Sequence, residues 1–407
     1  MMIHTACLPS GLRLVVASSE SPIACCGFAV RAGTRDEAAD CFGLAHFVEH
    51  GLFKGTKKRK AWHILNRMET VGGELNAYTT KEETFVYAVC LSQDSERAIE
   101  LLGDLVFHAD FPAAEMDKER EVVIDEIRSY EDNPSELILD EFENLIFQGS
   151  DYGHSILGTE SSLLTFTTET CQGFTQTFYR PDNMIFFYHG QMPFNKIYRQ
   201  ANKYFVHESA APTANRLRTT PLPVPAKQQR TDRGLHQSHV IVGGRAYTIH
   251  DKNRMALYLL NNLLGGPGMN SRLNISLREK QGLVYTVESG LTSYSDTGLF
   301  HIYFGCDADS VEQCLRLIHK ELRKLRDTGL TTNQLSAAAK QLKGQIGIAH
   351  ANKENTALGI GRTFLHCNRC DTLPEIYQKI DAITTSQILA VANEIFDENR
   401  LSQLIFE

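Results

Sequence analysis

The sequence predicts an α+β protein of two homologous domains, and three observations predict it. Its 407 residues exceed what one ordinary hydrophobic core organises. Segments of strand period and helix period alternate along the chain. The second half also repeats the apolar pattern of the first. Residues 44–55 fall on 255–266, and 116–127 fall on 335–346, with the hydrophobic positions kept. Domains are therefore expected at 1–207 and 238–407. Residues 208–237 carry Pro212, Pro221, Pro223 and Pro225 among polar neighbours and little periodicity, which predicts a partly extended linker.

Within the first half, runs of strand character predict strands near 12–16, 25–32, 74–79, 84–89 and 184–188. Helical spacing predicts helices near 41–54, 60–70, 94–108, 113–131 and 135–147. Asn133 and Pro134 read as a cap followed by a first-turn proline, so the long helical region breaks there. The second half repeats this order, from a strand near 240–243 to a closing strand near 401–406.

Composition narrows the function classes. With 42% hydrophobic and 22% charged residues there is no long apolar run, so no membrane-spanning helix is expected. A formal charge of −8 argues against a nucleic-acid surface. The first ten residues have neither the basic head and apolar stretch of a secretory signal nor the Arg/Ser-rich pattern of a transit peptide, and a cytoplasmic location is expected. The ten cysteines include the pair Cys25 and Cys26 in an expected strand. Cys367 and Cys370 form a single Cys-x-x-Cys without the second pair that a four-cysteine zinc site needs; reduced thiols are expected.

The chemistry concentrates in His46-x-x-Glu49-His50. On a helix His46 and His50 stand one above the other, a two-point clamp for a metal, with Glu49 on nearly the same face. The order is the inverse of the commoner zinc-peptidase helix. A catalytic zinc takes three protein ligands and a water, so a third ligand is needed. Glu119 and Glu126, seven residues apart, share one face of a later expected helix. Taken alone, these residues also fit an amphipathic core helix with two surface histidines and a solvated acidic face. The repeat bears on that choice. His46, Glu49 and His50 align with Leu257, Leu260 and Asn261, and Glu119 and Glu126 align with Ala338 and Gln345. Core positions survive in the second copy and chemical ones do not, which implies one fold used twice and armed once.

With the segments 52–56, 71–79, 156–159 and 179–184, this constellation resembles the inverzincin (pitrilysin-like, M16) metallopeptidases. That family includes the mitochondrial processing peptidases, insulin-degrading enzyme and small two-domain bacterial members. The resemblance implies antiparallel sheets backed by helices, with two lobes facing each other as a clamshell. It implies one Zn2+ per chain on His46, His50 and Glu126, Glu49 as general base, and Glu119 as an acidic support of the site. Asn76 and Ala77 match the family's substrate-pairing positions, on a strand that reads either as an open sheet edge or as an ordinary hairpin. Arg278 and Tyr285 resemble its Arg/Tyr pair, which grips a peptide carbonyl or carboxylate and donates to a developing oxyanion. Otherwise they are a surface arginine and a half-buried strand residue. Gly265, Gly266 and Gly268 lack the lysine of a phosphate cradle and read as a helix-ending loop. The expected activity is endopeptidase hydrolysis of peptides or unfolded segments. A homodimer is expected, because large family members join four such domains and this chain has two. The rivals are a silent peptide-binding or scaffold subunit and a small-molecule metallohydrolase.

Overall fold

Period-two apolar runs build two sheets in the computed structural model, which describes residues 1–205 and 218–407. The first contains β1 (Ile3–Cys7), β2 (Arg13–Ser18), β3 (Ile23–Val30), β4 (Glu74–Thr79), β5 (Thr84–Leu91) and β6 (Met184–Gly190), in the order β1-β2-β6-β3-β5-β4. The second contains β7 (Gln228–Thr231), β8 (Ser238–Arg245), β9 (Val284–Ser293), β10 (Gly298–Cys306) and β11 (Ser402–Phe406), in the order β7-β11-β8-β10-β9. Removing β1 makes the two orders coincide strand for strand. In each sheet one pair is parallel, β2 with β6 and β7 with β11, and the remaining pairs are antiparallel. The repeat read from the sequence is thus a repeat of topology, with the parallel pairs an addition to the expected antiparallel sheets. Strand β1 was not expected either, because its half-exposed residues show no clear apolar alternation.

Helices in chain order are α1 (Leu44–Gly51), α2 (Ala61–Glu69), α3 (Ser95–His108), α4 (Ala113–Glu131), α5 (Pro134–Ile146), α6 (Glu160–Leu163), α7 (Thr168–Phe178), α8 (Phe194–Tyr204), α9 (Arg254–Gly265), α10 (Val311–Thr328), α11 (Thr332–Ala349), α12 (Lys353–Cys367), α13 (Leu373–Asp381) and α14 (Thr385–Ile395). Asn133 does precede a helix with proline in its first turn. No helix among the described residues is long and apolar enough to cross a membrane.

The chain divides into two compact units that are discontinuous in sequence. Unit 1 comprises Met1–Ser129, His154–Thr219 and Ile348–Cys370, and unit 2 comprises Tyr130–Gly153, Thr220–Gly347 and Asp371–Glu407. A contiguous division at 1–207 and 238–407 differs from this because two helices cover the sheet of the other sequence half. In unit 1, α12 lays Ala357, Ile360, Phe364 and Leu365 on Val15, Phe85, Ile185 and Phe187. In unit 2, α5 lays Ile138, Phe142 and Ile146 on Ile241, Tyr303, Leu404 and Phe406. Of the expected linker 208–237, residues up to 217 lie outside the described ones, and its later part contains strand β7.

Both faces of the unit 1 sheet are covered, which explains why β3 reads as a continuous apolar run. Cys26, Phe28 and Val30 enter the larger core with α1 and α3, whereas Cys25 and Ala29 face α12.

Candidate metal centre

Helix α1 starts where only glycine fits. Gly43 has φ 95°, and a Cβ there would meet the Leu157 carbonyl oxygen at 2.6 Å. The buried Glu37 carboxylate then accepts from the first backbone amides, Gly43 N at 2.9 Å and Ala45 N at 2.7 Å. Burial pushes the Glu37 carboxyl up to about 8, while these two amides and Lys81 pull it down. Leu44, Ala45, Phe47 and Val48 pack into the core, and Gly51 allows Phe111 to come close enough that a Cβ would meet its ring at 2.6 Å. The apolar face therefore fixes the rotation of α1, and with it the direction of the polar residues.

His46 and His50 present their Nε2 atoms 3.8 and 3.6 Å from Glu126 Oε2 on α4. One donor atom from each of the three residues lies within 4.8 Å of the others. Ligand atoms on a tetrahedral zinc stand about 3.4 Å apart, so the spacing suits a shared ion better than direct hydrogen bonds. Burial lowers the His46 pKa to about 3, with the neighbouring His50 adding to the effect, so the ring is neutral and able to ligate. Its Nδ1 is buried with no hydrogen-bond partner among the described residues. Two imidazoles and a carboxylate are the donor set that zinc takes in hydrolytic sites. The residues present fit a zinc ion.

Around them lies a supporting layer. Glu119 Oε1 pairs with His50 Nδ1 at 2.7 Å, and its Oε2 accepts from Lys54 Nζ at 2.5 Å. Burial opposes charge on His50, but the bond to Glu119 and the charges of Glu49, Glu119 and Glu126 outweigh it and raise its pKa. For Glu119 burial acts upward, and the bonds from His50 and Lys54 win and lower the pKa. The sequence placed Glu119 beside the site. Lys54 was missed, although its position four residues after His50 was a usable signal. Glu49 is buried, which raises its pKa, and its Oε2 accepts a hydrogen bond from Thr79 Oγ1 at 2.7 Å. Thr79 is the second missed residue.

Asn76 and Ala77 lie half-buried on β4, which among the described residues pairs with β5 alone and so forms a sheet edge. Arg278 and Tyr285 are brought together in unit 2, with the guanidinium carbon 5.5 Å from the ring centroid. Tyr285 is 79% exposed, so it is not the half-buried strand residue of the alternative reading. They line a cavity of about 300 Å³ with Gly265, Gly266, Gly268 and Ser271. Glu82, Glu83 and His366 also lie within ligand distance of one another. Arg35 and Arg218 pair with Glu82, and Arg362 with Glu83, so that cluster already holds its cations.

The family model described as Insulinase (Peptidase family M16) matches residues 13–160, and that described as Peptidase M16 inactive domain matches 165–342. A Bacillus subtilis protein named as an uncharacterized zinc protease is 29% identical, covering 99% of this chain and 98% of its own. One of the same description from Streptomyces coelicolor is 31% identical, over 97% of this chain and 87% of its own. Among solved structures, a peptidase M16 inactive domain from Pseudomonas fluorescens superposes with a TM-score of 0.91 at 20% identity, covering 100% of this chain and 98% of that one. A protease from Helicobacter pylori gives 0.90 at 23% identity, covering 100% and 99%. With its two matched halves and its relatives aligned over nearly their whole length, the chain belongs to the peptidase M16 family.

Proposed function

We propose that the protein is a zinc-dependent endopeptidase acting on peptides or unfolded segments. The observation that carries this reading is the convergence of His46, His50 and Glu126 within 4.8 Å of one another, next to the buried Glu49. His46, His50 and Glu126 would hold the metal. Zinc bound there would supply Lewis-acid activation of water and of the scissile carbonyl.

The rest is done by the chain's own groups. Glu49 takes the proton of the attacking water on the oxygen that Thr79 leaves free, and returns it to the departing amine. Burial raises the carboxyl's pKa above its ordinary value, the direction that makes a carboxylate a stronger base. Glu119 keeps His50 Nδ1 engaged, so that Nε2 is the nitrogen offered to the metal. The open edge of β4, with Asn76 and Ala77, takes an extended peptide by backbone pairing, which reads few side chains. Arg278 and Tyr285, exposed at their cavity, supply a cationic fork and a phenol for a peptide carbonyl or carboxylate.

A panel of quenched peptides, run beside small esters and amides, tests the reading. Cleavage of peptides, its loss on chelation and its return with zinc are expected. Turnover of esters alone, or peptide cleavage indifferent to the chelator, would contradict it.

A further inference from the structure

Strand β4 carries two features at once. One is its open edge, the expected docking line for substrate. The other is Thr79, its last residue, whose hydroxyl donates to Glu49 Oε2 at 2.7 Å. The turn that follows is held to an unusual degree. Thr34 N donates to Thr80 O at 3.1 Å and Arg35 N to Lys81 O at 2.8 Å. A Cβ on Gly33 would stand 2.2 Å from Thr80 O, so this close approach admits only glycine.

The turn is also charged and buried. Lys81, Glu82 and Glu83 are each no more than 2% exposed. Arg35 and Arg218 meet Glu82 at 2.8 and 3.1 Å, and Arg362 and His366 of α12 meet Glu83 at 2.7 and 2.6 Å. Buried ion pairs seldom repay the desolvation of their charges, but a closed network fixes the position of what it binds. What it binds here is the turn directly after Thr79.

A general base works only if one carboxylate oxygen is aimed at the water, and the side chain of a glutamate rotates freely unless held. We infer that Thr79 is the positioning residue for Glu49, aiming the base from the end of the strand whose open edge is the expected docking line. This rests on the peptidase reading above.

The variants are Thr79→Val, which keeps the shape and removes the donor, and Thr79→Ser, which restores the donor. Each is measured for zinc per chain, zinc affinity by chelator competition, and kcat and KM on a quenched peptide that the wild type cleaves. Peptide affinity is read by fluorescence anisotropy on Glu49→Gln protein with and without Thr79→Val. Thr79→Val should keep zinc and peptide affinities within about threefold while kcat falls by about 10- to 100-fold. Thr79→Ser should return kcat to within about threefold of wild type.

An unchanged kcat in Thr79→Val overturns the inference. So does a fall that follows zinc or peptide loss, or one that Thr79→Ser shares, because each marks a merely structural role. A wild type that holds zinc and cleaves no peptide overturns the peptidase reading itself, and this inference with it.

Discussion

Helix α1 of unit 1 and helix α9 of unit 2 occupy corresponding places beside sheets of the same strand order, yet they resolve the same packing problem differently. In α9, Leu257 and Leu260 are fully buried, and Asn261 donates to the Ser289 carbonyl while Ser289 Oγ donates to the Asn261 carbonyl. Leu257 and Leu260 are apolar, and the Asn261 amide nitrogen is tied to its own fold while its Oδ1 is buried without a hydrogen-bond partner among the described residues. In α1 the aligned positions hold His46, Glu49 and His50, and burial distorts the protonation of two of them. The partner helices differ in the same sense, with Glu119 and Glu126 on α4 against Ala338 and Gln345 on α11. Leu257 and Leu260 show that the fold does not require His or Glu at two of these positions, whereas Asn261 keeps a polar side chain at the third. The buried polar groups at the aligned positions of unit 1 carry a desolvation cost that the leucines do not, as expected of the proposed metal centre.

Giving α1 the residues of α9 presses hardest on this comparison. His46→Leu with His50→Asn should abolish zinc binding and lower peptide cleavage at least about a thousandfold. Unfolding measured in chelator should be no earlier than for the wild type. A large destabilisation of the zinc-free protein would show that the histidines build the fold and would break the comparison.

The reciprocal experiment acts on the other side. Leu260→Ala removes a fully buried side chain and should cost about 2–5 kcal/mol in the unfolding of unit 2. Zinc content of the folded fraction should not change. Denaturant unfolding followed together with zinc content checks both statements.

A smaller effect is expected at Lys54. Lys54→Met leaves Glu119 without its second partner, loosens its hold on His50 and should weaken zinc binding by about tenfold. Lys54→Arg should recover most of that. Equal affinity in all three proteins would remove Lys54 from the supporting layer.

A separate effect, on stability alone, concerns pH at the start of α1. The carboxyl of Glu37 sits at about 8, above its ordinary value, so the folded state holds its proton more tightly than the unfolded chain. Its contribution to stability is fully present below about 4.5 and declines as pH rises through 8. Glu37→Gln cannot titrate, so the wild type should lose Tm relative to that variant between pH 5 and 8. Parallel curves would contradict the assignment.

The parts of this architecture that one sequence displays are those written locally. Helix α4 spans residues 113–131 and β4 spans 74–79, as their periodicity implies, with Leu75 and Ala77 of β4 turned to one core and Tyr78 to the other. The proposed zinc ligands were legible because two lie on a single helical turn and their chemistry is absent from the aligned copy. Less legible was which sheet a helix covers. The apolar stripe Ala357, Ile360, Phe364 and Leu365 of α12 states that one face is buried, and nothing in it states that the covering surface is Val15, Phe85 and Phe187. The roles of Thr79 and Lys54 were hidden for a similar reason. A threonine ending a strand and a lysine after a helix are ordinary residues until the fold brings Glu49 and Glu119 to them.

The most direct test of the central claim is a paired measurement on wild type and Glu49→Gln, with zinc per chain and cleavage of a mixed peptide library read on the same samples. About one zinc per chain is expected in both proteins, with cleavage by the wild type alone. If both hold zinc and neither cleaves, or if Glu49→Gln cleaves as well as the wild type, the claim that α1 is armed for peptide hydrolysis is wrong.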